Sequence, residues 1–88
     1  AHRFGLVNRV VPDERLEEEA AGLARRLAAL PTRALGQIKR SLYASFESDL
    51  DAALEREARG QSLCGRTRDF EEGVAAFFER REPRFSGR

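Results

Sequence analysis

Carboxylates are the first residues in this sequence whose types and spacing could do chemistry. Glu17, Glu18 and Glu19 run together, Glu55 and Glu57 lie two apart, and Glu71 and Glu72 are adjacent. Paired carboxylates divide general acid and base roles when their surroundings push their pKa values apart. Here each cluster sits in a charge-rich helical stretch with arginines close by, which is the pattern of a solvated helix face. His2, the one histidine, stands at the extreme N-terminus without the orienting partner a general base requires. Cys64 would need an activating base and a lowered pKa to act as a nucleophile. It reads instead as a small apolar filler near a helix end. One cysteine excludes an internal disulfide and cannot alone form a structural zinc site. The seven glycines are scattered singly, so no phosphate-cradling loop is present. No residue is assigned a catalytic or metal-ligating role.

The last stretch is different. Arg80, Arg81 and Arg84 follow the aromatic pair Phe77-Phe78. Phe77 and Arg80 are three apart, a spacing that shares a face on a helix. A ring beside a guanidinium can stack an adenine while the arginine pairs a phosphate. The same spacing also describes a core phenylalanine next to a surface arginine, and aromatic stripes at helical spacing are usually core. On spacing alone, the second reading is the stronger.

These residues depend on four helices. The opening Phe4–Val11 is rich in β-branched and apolar residues, is stopped by Pro12, and reads as a short strand. No second strand candidate follows. Its ladder partner must lie outside the chain, or the segment is merely an extended lead-in. A first helix is expected from Asp13, with Leu16, Ala20, Leu23, Leu27 and Leu30 on one face, ending at Pro31. A second begins at once and carries Leu35, Ile38, Leu42 and Phe46. Ser48 and Asp51 form an approximate capping box for a third, with Leu50, Ala53, Leu54 and Ala58 inward and Gly60 and Gly65 weakening its far end. The fourth starts at Thr67 or at Asp69, the latter giving a capping-box-like Asp69–Glu72 pair. Its face is Phe70, Val74, Phe77 and Phe78. Pro83 and Gly87 close an irregular tail. Four narrow stripes could make a small bundle, but the leftover apolar surface would pack more comfortably against another body.

Composition sets the outer bounds. At 88 residues, one domain is the most the chain can form, and it would bury only about 60–65% of its unfolded surface. Hydrophobic residues at 41% and charged residues at 35% fit a folded, helix-rich chain. No apolar run approaches the roughly 20 residues of a membrane span, and no signal peptide is recognisable; the expected location is cytoplasmic, with no membrane partner. A net charge of +1 lacks the basic footprint of nucleic-acid binding, including that of a helix-turn-helix DNA binder. The sequence lacks methionine and starts at Ala1, so a longer natural chain is expected.

The run from Thr67 to Arg88 closely resembles the C-terminus of the enoyl-CoA hydratase/isomerase (crotonase) family. The family pattern, roughly (S/T)-x-D-x-x-E-G-x-x-A-F-x-E-(K/R)-R-x-P-x-F-x-G, is met at Thr67, Asp69, Glu72, Gly73, Ala76, Phe77, Glu79, Arg80, Arg81, Pro83, Phe85 and Gly87. Gly5–Pro12 is similar to the family segment that leaves the α/β core. Pro31, Ala34, Lys39 and Leu42 resemble its P-x-x-A-x-x-x-x-K-x-x-L helix. Each motif is weak alone, but three in order over nearly the whole chain are specific.

The resemblance implies a mainly α piece: residues 1–12 as the end of an α/β core, and 13–88 as the four-helix C-terminal region. It implies a parent enzyme that acts on acyl-CoA thioesters, with coenzyme A as part of the substrate and no separate cofactor. The parent's enolate is stabilised by two backbone N–H groups, often with Glu or Asp as acid and base. Both features lie upstream in the family, so no residue here inherits them. The helical region builds homo-oligomers, trimers often paired into hexamers. In several members a Phe and a Lys of the last helix approach the CoA adenine and phosphate of a neighbouring subunit; the matching positions are Phe77 and Arg80. Arginine keeps the charge of the lysine but not its geometry. Lys39–Ser45 and Gly65-Arg66-Thr67 look somewhat like bacterial enzymes of phenylacetate breakdown, which isomerise a ring-epoxide CoA ester. Straight-chain enoyl-CoA hydratases share much of the same pattern, so enoyl-CoA hydratase/isomerase is the first label and the epoxide isomerase a minority sub-type. The alternative outside enzymology is a stand-alone helical oligomerisation module without a ligand.

Overall fold

Proline and short polar breaks divide the chain as the periodicity predicts. The computed structural model describes residues 1–88 and contains four helices: α1 Leu16–Ala28, α2 Thr32–Ser45, α3 Leu50–Cys64 and α4 Arg68–Glu79. A 3-10 turn over Asp13–Arg15 leads into α1. Pro31 sits in extended geometry at the N-cap of α2, where its missing N–H costs nothing. The mainly α, four-helix architecture stands.

The strand expected over Phe4–Val11 does not form. His2–Phe4 is a 3-10 turn closed by Gly5 at φ 73°, and the chain from Leu6 to Pro12 runs without a ladder. Its only side-chain tether is Arg9 to Glu19, 3.0 Å, on α1. The reason is the one visible in the sequence: nothing else in the chain is extended enough to pair with it. Within this chain the segment has no ladder partner.

Helix starts correct two further details. Asp49, not Ser48, caps α3; its carboxylate accepts the Ala52 N–H at 2.9 Å. Ser48 instead donates back to the Ala44 carbonyl at 2.8 Å, closing the turn after α2. Of the two starts open for α4, Thr67 is the cap. Its hydroxyl accepts the Phe70 N–H at 3.1 Å and donates to the Cys64 carbonyl at 2.6 Å, tying α3 to α4. Gly60 does not interrupt α3, which runs on to Cys64.

The helices are laid out side by side in a slab of 42 × 39 × 19 Å rather than wrapped around a core. Only α2 and α3 pack extensively on each other. The radius of gyration is 16.7 Å, whereas a compact domain of this length has about 12 Å. The accessible surface is 7976 Å², about half as much again as the roughly 5,200 Å² of a compact 9.9 kDa protein. Only Thr67, Asp69 and Ala76 are buried. The apolar stripes are formed and left open: Leu42, Leu50 and Leu54, for instance, are all exposed.

A buried, well-satisfied carboxylate lies under the tail. Asp69, 4% exposed, accepts the Ser86 N–H at 2.7 Å, the Ser86 hydroxyl at 3.3 Å and the Gly87 N–H at 2.8 Å. Its own N–H donates to the Arg88 carbonyl at 3.0 Å. A carboxylate in the first turn of a helix is favoured by the helix dipole. Residues 81–88 therefore double back along α4, with the Phe85 ring over Gly73. Gly87, at φ 77°, lies so close to Thr32 that a Cβ there would fall 3.3 Å from its hydroxyl. The tail thus reaches the first residue of α2. Replacing Asp69 with Ala should cost about 2–3 kcal/mol of tail stability. Amide exchange at Ser86 and Gly87 should accelerate by roughly one to two orders of magnitude, with α2 and α3 amides unchanged; equal protection in both proteins would disprove the anchor.

Candidate functional site

The carboxylate clusters do not converge. Glu19 pairs with Arg15 at 2.9 Å and with Arg9, and Glu55 with Arg59 at 2.6 Å, all on exposed helix surface. His2 is exposed in the N-terminal turn. Cys64 is half-buried at the end of α3. No group of three or more His, Cys, Asp or Glu side chains is arranged to hold a metal ion.

Phe77 and Arg80 lie at the free end of α4. Phe77 is 79% exposed, so it is not a core residue of this chain. Its ring meets Phe78 edge-on, centroids 5.7 Å apart and planes at 78°. It also lines a groove of about 840 Å³ shared with Ile38, Leu42, Phe70, Val74 and Phe85. Its walls come from α2, α3, α4 and the tail. Arg80 is not on the helix: it takes the left-handed conformation, φ 55°, ψ 44°, just after the last turn. The two side chains are therefore brought to one end of α4 but do not share its face, and no cation sits over the Phe77 ring. The one ring with a cation over it is Tyr43, with Lys39 Nζ at 5.9 Å.

The helix end at Arg80 is closed by two backbone hydrogen bonds, Arg80 N–H to Phe77 O at 3.3 Å and Arg81 N–H to Ala76 O at 3.1 Å. This pairing is the usual closure around a left-handed residue, a place glycine normally takes. An L side chain there costs about 1–2 kcal/mol. Arg80 is the only non-glycine residue at positive φ. Its guanidinium has no carboxylate partner, whereas Arg81 beside it has two.

Residues that spacing alone did not single out hold this end in place. Arg81 makes a two-pronged contact with Glu72, Nη1 to Oε1 at 2.6 Å and Nη2 to Oε2 at 3.0 Å, and also meets Glu79. The Arg84 N–H adds a third donor to Glu72 at 2.7 Å. The signal for these residues was the order of the terminal motif, in which Glu72 and Arg81 are both fixed positions. Hydrogen bonding from Arg81 and then from the Arg84 N–H lowers the Glu72 pKa from 4.5 to about 2. Arg81 is correspondingly raised, chiefly by Glu72. Because the folded-state pKa is depressed, the clamp contributes fully above about pH 4.5 and is lost as pH falls toward 2. The Arg84 amide resonance should therefore titrate with a midpoint near pH 2; a midpoint near 4.5 would show that the clamp is not formed.

With this geometry in place, comparison with known proteins is specific. The sequence profile described as enoyl-CoA hydratase/isomerase matches residues 1–88. The chain is 43% identical over 88 residues to the 1,2-epoxyphenylacetyl-CoA isomerase of Escherichia coli K12, covering 100% of this chain and 34% of that protein. It is 36% identical over 85 residues to the crotonyl-CoA hydratase of Syntrophomonas wolfei, covering 97% of this chain and 33% of that protein. Its fold superposes with a TM-score of 0.91 on the crystal structure of an enoyl-CoA hydratase subunit from Geobacillus kaustophilus HTA426, at 41% identity, over 100% of this chain and 34% of that one. The chain thus spans about a third of the length of the relatives it matches. Profile, sequence identity and superposition agree: the chain belongs to the enoyl-CoA hydratase/isomerase family.

Proposed function

We propose that this chain is the C-terminal helical part of an acyl-CoA hydratase or isomerase, where it contributes contacts between subunits and part of the coenzyme A site. The observation that carries the reading is the end of α4. An exposed phenylalanine stands beside an arginine that is unpaired and held in a conformation a glycine would adopt more cheaply. Strain of this kind persists where a side chain is needed. Phe77 stacks on the adenine, and Arg80 meets a phosphate of the same CoA.

In this reading residues 1–12 are the end of the α/β core and residues 13–88 are the helical region. The open stripes of α1–α4 pack on that core and on neighbouring subunits of a trimer or hexamer. The excess surface supports this, since it is several times the ~800 Å² that one partner gives to a standard interface. The oxyanion hole and the acid–base carboxylates belong to the rest of the enzyme. No residue of this chain takes part in the bond-making steps, and the thioester brings the only coenzyme the reaction uses. The expected compartment is the cytoplasm, and no helix here is long and apolar enough to cross a membrane. Enoyl-CoA hydratase/isomerase, as in the 41% identical solved structure, is the main label; a ring-epoxide phenylacetyl-CoA isomerase is the minority sub-type that the 43% identical relative suggests.

Three outcomes test the proposal. The 88-residue chain alone should show no turnover of crotonyl-CoA and should self-associate in sedimentation; measurable turnover would overturn the assignment of catalysis elsewhere. In the full-length gene product, Phe77→Ala should raise the KM for its acyl-CoA about tenfold, the loss of roughly 1.4 kcal/mol of stacking. Arg80→Gly should stabilise the fold by about 0.5–1 kcal/mol, and so raise its melting temperature, by relieving the left-handed arginine, while weakening CoA-ester binding. An Arg80→Gly protein that gains stability and loses no affinity would remove Arg80 from the site.

A further inference from the structure

We infer that Glu72 is a positioning residue for the CoA phosphate contact, acting through Arg81 to fix the left-handed turn at Arg80. The inference rests on the reading of Arg80 as the phosphate-binding residue. Glu72 and Arg81 are nine residues apart, and a continuing helix would separate them by roughly 13 Å along its axis. They instead meet in a two-pronged contact at 2.6 and 3.0 Å. That contact requires the chain to reverse between them, and Arg80 is the residue that reverses it. The same carboxylate takes the Arg84 N–H at 2.7 Å, so both sides of Pro83 are held to one point on α4.

The arrangement divides labour between adjacent arginines. Arg81 is fully used inside the chain, by Glu72 and Glu79. Arg80 has no internal carboxylate partner; its left-handed turn is closed by two backbone hydrogen bonds and secured beyond them by its neighbour's clamp. With Glu72 lost, the turn keeps only its two backbone hydrogen bonds and the more distant Asp69 anchor, and Arg80 is free to shift. Its guanidinium then leaves the end of α4 in a different direction, while Phe77, three residues back inside the helix, stays where it is. The ligand chemistry that senses this is the phosphate-bearing nucleotide half of coenzyme A. The pantetheine half carries no phosphate and does not sense it.

The test uses the full-length gene product and calorimetric titration with two probes, coenzyme A and pantetheine. Glu72→Gln keeps the side-chain shape but puts an amide NH2 against the arginine donors. It should weaken coenzyme A binding by about tenfold and leave pantetheine binding unchanged. Arg81→Leu cuts the same clamp from the other side and should give the same split. Should Glu72→Gln unfold the protein, as judged by its melting curve, Arg81→Leu carries the decision. Unchanged coenzyme A binding in the folded clamp variants, or equal losses for both probes, overturns the inference. Arg80→Ala separates this from failure of the underlying reading. If Arg80→Ala selectively loses coenzyme A and the clamp variants do not, only the positioning role falls. If Arg80→Ala binds coenzyme A normally, the phosphate reading falls, and the positioning role with it.

Discussion

The hydrogen bonds gathered by one buried carboxylate, Asp69, determine how the second half of this chain is arranged. By accepting the Ser86 and Gly87 amides it folds the tail back along α4, which lays Phe85 over Gly73 and brings Gly87 against Thr32 at the head of α2. The helices themselves touch little, apart from α2 on α3. The tail is therefore a cross-brace between elements that apolar packing alone does not join. Its return path also requires the sharp reversal at Arg80, and Glu72 secures that reversal from the opposite end of the same helix. The two carboxylates lie one turn apart and grip the tail at two points.

The position of the pair at the end of α4 follows from this bracing. Had α4 continued past Glu79, Arg80 would lie on a helical face, three residues from Phe77. The reversal takes the guanidinium off the helix and leaves the ring on it. The two groups thus share one end of one element without stacking on each other. An arrangement of that kind suits a ligand with a flat aromatic part and a charged part, each needing its own contact. It is less suited to a helix pair that simply interlocks.

How much of this was legible beforehand depends on the range of the interaction. The helix stripes, the stop at Pro31 and the Thr67 cap all follow from residues a few positions apart, and periodicity and capping chemistry read them directly. Ser48 misled because Asp49 beside it is an equally good cap, and only the extended backbone at Asp49 decides between them. The Phe4–Val11 segment misled because β-branched composition measures fitness for a sheet and not the presence of one. The Asp69 and Glu72 carboxylate contacts reach up to 18 residues along the chain. No local rule reports such pairs, and only the order of the terminal motif hinted that those residues mattered together. Spacing alone leaves Phe77 open between core and surface for a related reason. Helical spacing identifies an apolar face, but not the body that covers it.

The slab-like shape has a thermodynamic consequence. A chain with three buried residues and about half as much surface again as a compact domain holds little of its stability inside itself. Most of the free energy that keeps α1–α4 in place must come from whatever covers their open faces. Its melting temperature is then not a constant of the sequence. It is a binding isotherm read on a temperature axis, rising with the concentration and affinity of the covering surface.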